Sequence, residues 1–148
     1  MVVQGSNAGQ FSAEDPEATA EENFPGIAQI LSKMTKLDAF DLHMIDAIRG
    51  RTTGYEKIFA HIANEVKLPL TQVFLRGLPA TEQSLLKFIE NHPKISHLDI
   101  REMRLQSGSW ATVIKRICQM PVLSRLHLSN IWDERGMFNR KYQHPLRT

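Results

Sequence analysis

At 148 residues and 42% hydrophobic content, the chain is long enough to bury one sizeable core and too short for several domains. Its single cysteine, Cys118, excludes an intramolecular disulfide framework, and no apolar run approaches the roughly 18–20 residues that cross a bilayer. The formal net charge of +2 hides an asymmetry: residues 1–23 carry five acids (Glu14, Asp15, Glu17, Glu21 and Glu22), whereas all 18 Lys and Arg residues lie beyond them. A mildly basic body suits an acidic partner as well as plain solubility. The N-terminus has neither a basic n-region nor an apolar h-region, so the expected setting is a reducing compartment, cytoplasmic or nuclear.

Residues 1–23 are rich in Gly, Ser, Ala, Glu and Gln and hold too little apolar surface to offset chain entropy, which predicts a disordered acidic tail. A repeat domain is expected over 24–136. It opens with a helix carrying Phe24, Ile27, Ile30, Leu31 and Met34 on one face, with Pro25 in its first turn. A first strand near Leu37–Leu42 and a basic loop, Arg49-Gly50-Arg51, lead to a helix with the stripe Tyr55, Ile58, Phe59, Ile62, Ala63 and Val66. A second strand holds Val73-Phe74-Leu75 and ends at Gly77 and Pro79. Thr81 is placed to cap the next helix, whose Leu85, Leu86 and Ile89 face the core until His92-Pro93 stops it. After a third strand near His97–Ile100, Ser107-Gly108-Ser109 opens a helix with Trp110, Val113, Ile114, Ile117 and Cys118 on its apolar side. Met120-Pro121 ends that helix, and a fourth strand covers Arg125–Leu128. The basic C-terminal tail, 137–148, has no helical pattern.

One pattern recurs through these elements: an apolar residue, then apolar residues at +3, +5 and +8. It reads Leu37, Phe40, Leu42, Ile45; Leu70, Val73, Leu75, Leu78; Ile95, Leu98, Ile100, Met103; and Leu123, Leu126, Leu128, Ile131. Self-similarity at this period signals stacked supersecondary units. Strand followed by helix, repeated, implies a parallel sheet with helices outside, curved into an arc with the strands on its inner face.

This pattern with its trailing helix resembles a leucine-rich repeat of the longer ribonuclease-inhibitor-like type. Leu105-Gln106-Ser107-Gly108-Ser109-Trp110 and Leu126-His127-Leu128-Ser129-Asn130-Ile131-Trp132 also resemble fungal proteins whose C-terminal repeats follow an F-box. The likeness covers about residues 30–135 and implies an α/β solenoid that binds protein through its concave face, without catalysis, as the repeat part of an F-box-type adaptor. Two departures stand out. There is no F-box segment, and the asparagine that such repeats place after the strand is replaced by Ile45, Leu78, Met103 and Ile131, with Asn130 one position early.

Residues between the anchors face away from the helices, because side chains alternate along a strand. One expected column reads Asp41, Phe74, Asp99, His127 and the next His43, Arg76, Arg101, Ser129, with His97 and Arg125 beginning the last two strands. The partner-binding set is therefore Asp41, His43, Phe74, Arg76, His97, Asp99, Arg101, Arg125 and His127. Phe74 is its apolar anchor, and Arg76 and Arg101 are its donors to carboxylate or phosphate. No catalytic, metal-ligand or cofactor motif is present in the sequence, and neither cofactor nor metal is expected. Other readings stay open: a nucleic-acid or polyanion binder using the basic body, a hydrolase built on Asp99 and His127, and a fragment of a longer array. Cys118 is expected to pack in the core, and Trp132 either to cap the core end or to anchor a partner. The fourth strand's outer edge lacks an evident cover, so either the tail folds over it, or it self-associates, or the chain is a fragment of a longer array.

Overall fold

The computed structural model describes residues 2–5, 25–44, 55–138 and 142–145. The acidic stretch 6–23, the anchor Ile45, the loop Arg49-Gly50-Arg51 and the basic residues Arg140, Lys141 and Arg147 lie outside them. In chain order the elements are β1 (Val2–Gly5), α1 (Gly26–Ser32), β2 (Ala39–Met44), α2 (Glu56–Glu65), β3 (Gln72–Arg76), β4 (Pro79–Ala80), α3 (Glu82–Asn91), β5 (His97–Leu105), α4 (Trp110–Ile117), β6 (Arg125–Asp133), β7 (Gly136–Phe138) and β8 (Tyr142–Pro145). The class is α/β, with one mixed and mostly parallel sheet ordered β1-β2-β3-β5-β6-β7. Strands β1, β2, β3, β5 and β6 are parallel neighbours, and a helix follows each of the first four.

Apolar stripes build this arrangement. Leu31 of α1, Phe59, Ile62 and Ala63 of α2, Leu85, Phe88 and Ile89 of α3, and Trp110, Val113 and Ile117 of α4 form one cluster with Phe40, Leu42, Val73, Leu75, Leu98, Ile100 and Leu128 of the strands. Each helix packs against the next, and the Phe59 and Phe88 rings sit 5.3 Å apart between α2 and α3. The helix starts are fixed locally. Thr81 Oγ1 accepts from the Ser84 amide and Ser84 Oγ from the Thr81 amide, both at 3.1 Å, a reciprocal cap on α3. Ser109 Oγ accepts from the Ala111 amide at 3.1 Å on α4.

Several expectations change. The sheet extends past both bounds of the repeat region. Residues 2–5, within the stretch read as disordered, pair with β2 in the register Val3↔Leu42, so a fifth parallel strand precedes α1. On the other side, β7 and β8 run antiparallel along β6, in the registers Ile131↔Phe138 and Leu128↔Tyr142. The β6 edge is therefore occupied by the chain's own tail along Arg125–Leu128 and Ile131–Asp133. In α1, Ile30 is 58% exposed, and the small Ala28 takes the core position instead. Cys118 is exposed as well. It falls about 100° around the helical wheel from the buried Ile117, which turns it out of the stripe.

The backbone explains the +5 to +8 step of the repeat. In a regular strand these two positions lie on opposite faces. Here Gly77, Glu102 and Asn130, all at position +7, have φ of 70°, 52° and 50°. They directly follow the register-matched Arg76, Arg101 and Ser129. One left-handed residue resets the alternation, so that Leu78, Met103 and Ile131 return to the core at 1% exposure or less. Asn is among the non-glycine residues that tolerate this region best, so the "early" Asn130 occupies the position where its type fits. Gly77 is required twice over, because a Cβ there would also collide with the Met44 carbonyl oxygen.

Candidate functional site: the outward face of the sheet

The face of β2, β3, β5 and β6 that carries no helix among the described residues holds three rows in strict register. They are Ala39–Gln72–His97–Arg125, Asp41–Phe74–Asp99–His127 and His43–Arg76–Arg101–Ser129. All nine residues of the expected set fall in these rows. Their core-facing neighbours Phe40, Leu42, Val73, Leu75, Leu98, Ile100 and Leu128 are 0–1% exposed, and those anchors hold the rows in place.

The geometry divides the set. Arg101 Nε and Nη2 donate to Asp99 Oδ1 and Oδ2, each at 2.7 Å, a bidentate pair between residues two apart on one strand face. Asp99 is only 6% exposed, and its hydrogen bonds hold the Arg101 guanidinium above its ordinary pKa. Arg76 Nη2 donates to Glu102 Oε1 at 3.0 Å across the β3–β5 step. Both arginines therefore engage carboxylates of this chain and do not form a vacant anion fork. Glu102 was missed in the sequence because its partner follows from the bend at position +7. The Phe74 ring meets the His97 imidazole edge-on at 5.1 Å, a half-buried aromatic pair at the centre of the face. His127 Nε2 lies 3.2 Å from Ser129 Oγ, and no hydrogen bond joins His127 to Asp99 among the described residues. Arg125 is exposed, with no carboxylate partner among the described residues.

The rows end at a lip formed after the bend. Arg104 of β5 and Trp132 of β6 are register partners there, and Trp132 also stands opposite Met137 of β7. Trp132 is half-buried on this outward row. The core residue at this end is Trp110, whose Nε1 donates to the Trp132 carbonyl oxygen at 2.7 Å. Inside the lip, Asp133 is 8% exposed and accepts from the Trp110 amide at 3.2 Å and the Arg135 amide at 2.9 Å, tying the start of α4 to the β6–β7 turn.

Among the described residues, no group of three His, Cys, Asp or Glu side chains could hold a metal ion, and no helix is long and apolar enough to cross a membrane. The chain matches no family model, no curated protein and no solved structure.

Proposed function

We propose that this chain is a short leucine-rich-repeat-like solenoid that recognises a protein partner, without catalysis, through the outward, concave face of its sheet. The observation that carries this reading is the face without a helix among the described residues: three registered rows of polar and aromatic side chains on parallel strands, with Phe74 and His97 at their centre. Repeat arrays use this kind of face for extended binding surfaces. A non-catalytic role is supported by the state of the Asp99 and His127 side chains, which bond to Arg101 and Ser129 and not to each other. The resemblance to fungal F-box repeat proteins adds the context of an adaptor whose ligase-binding part is absent from this sequence.

The test is affinity capture from cell extract with the wild type and a Phe74→Ala/His97→Ala variant, both first shown to fold by circular dichroism. A protein enriched by the wild type and lost with the variant supports a recognition face centred on that pair. Equal recovery with both removes the central row from the proposal.

A further inference from the structure

Beyond the central rows, the lip of the face brings together three residue types that dominate interface cores and a hollow to receive a side chain. Arg104, Trp132, Asp133 and Gly136 line an open hollow of about 200 Å³. Met137, opposite Trp132 on the neighbouring strand, is 53% exposed, one of three large apolar residues so exposed among the described residues. Gly136 has a φ of 112°, and the space a Cβ would occupy is open. Trp, Arg and Met are enriched at the centres of protein interfaces, and Trp and Arg supply many of their hot spots.

Charge decides the class of occupant. Arg76 and Arg101 are neutralised by Glu102 and Asp99, whereas Arg104 is exposed and has no carboxylate partner among the described residues. Asp133 lines the same hollow, but both of its oxygens accept from main-chain amides and it forms no ion pair with Arg104. Among the residues lining the hollow, Arg104 is therefore the one forked cation, beside the Trp132 indole, with the Met137 thioether on the neighbouring strand. A nucleic acid would call for a basic stripe that tracks successive phosphates.

We infer that the lip is a docking site for an acidic peptide segment of a protein partner, in which one carboxylate engages Arg104 and an adjacent large apolar side chain packs on Trp132 and Met137. The inference rests on the protein-recognition reading above and places a specificity contact of that face at the Arg104–Trp132 step.

The test is a selection of random peptides displayed on phage against the folded wild type. Binding of the enriched peptides is then measured by fluorescence polarisation for wild type, Arg104→Glu, Met137→Asp, Phe74→Ala and Arg116→Glu, the last an equal charge change on the exposed side of α4. The expected result is enrichment of peptides pairing Asp or Glu with an aromatic or large aliphatic residue. Arg104→Glu should weaken their binding by about tenfold or more, Met137→Asp should also weaken it, and Arg116→Glu should leave it within about twofold. Absence of enrichment, enrichment of basic peptides, or equal binding by Arg104→Glu overturns the inference. Loss with Phe74→Ala but not with Arg104→Glu overturns it while leaving the proposed function standing. Two further arms use a labelled single-stranded oligonucleotide and sedimentation of the protein alone. Oligonucleotide binding, or self-association, that is abolished by Arg104→Glu assigns the lip to another occupant and also overturns the inference.

Discussion

Gly77→Ala tests the bend that defines the repeat. The native φ of 70° lies in a region that costs an L-residue about 1–2 kcal/mol. The new Cβ would also meet the Met44 carbonyl oxygen, a backbone atom that moves only if β2 shifts against β3. Misfit of that kind in a packed interior typically adds about 1–3 kcal/mol, so a total near 3 kcal/mol is expected. With a urea m-value of about 1.5 kcal/mol/M, the unfolding midpoint should fall by about 2 M at unchanged m, read by circular dichroism at 222 nm. The matched control is Asn130→Gly, at the same repeat position with a φ of 50°. It relieves left-handed strain while adding freedom to the unfolded chain, so its midpoint should stay within about 0.3 M of wild type, or about 0.5 kcal/mol. A Gly77→Ala midpoint within the same margin would refute the argument that position +7 must be left-handed and tightly approached.

Three further outcomes are expected. Arg101→Ala strands the Asp99 carboxylate, which is only 6% exposed, and should cost about 1–3 kcal/mol. Arg76→Ala breaks an exposed pair and should cost less than about 1 kcal/mol, so equal losses in urea titrations would contradict the burial-based ranking. His92 is 1% exposed, its Nδ1 bonds the Phe88 carbonyl at 2.7 Å and its Nε2 has no hydrogen-bond partner among the described residues; burial pushes its pKa down, more than the Phe88 bond raises it. The unfolded chain therefore binds the proton more readily, and stability contributed by neutral His92 should be lost as pH falls below the ordinary histidine range near 6.5. Midpoints measured from about pH 8 to 5 should show a shallower acid loss in His92→Gln, and parallel curves would contradict this. Asp133→Ala removes the acceptor of the Trp110 and Arg135 amides and should cost about 1–3 kcal/mol in thermal or urea unfolding, with Asp133→Asn recovering part of it; a neutral Asp133→Ala would show that water replaces the carboxylate.

The α/β class, the four anchored strands and the residue columns across them were legible in the sequence, because apolar spacing reports which face of an element is buried. The registers Phe74↔Asp99 and Arg76↔Arg101 follow directly from aligning the four repeats. The Thr81 cap was legible for the same local reason: its hydroxyl needs only the backbone three residues on. The first strand left a weak signal, two valines at the start of an acidic stretch, because four residues paired on one side carry little pattern of their own. The +7 bend was hidden as well. Its left-handed residues are Gly, Glu and Asn, and no single residue type marks them.

Tertiary structure alone decided the chemistry of the face. That Arg76 reaches Glu102 depends on side-chain reach across strands at the bend, that Arg101 closes on Asp99 depends on the shared face of one strand, and Arg104 keeps no carboxylate among the described residues. The closing of the β6 edge by β7 and β8 depends on chain reversal that the tail's composition does not encode. Spacing along the sequence fixes what is buried, since burial is periodic and local. Which side chains of the face pair is set by distances of a few ångströms, and for Arg76 and Glu102 the partners are 26 residues apart in the chain.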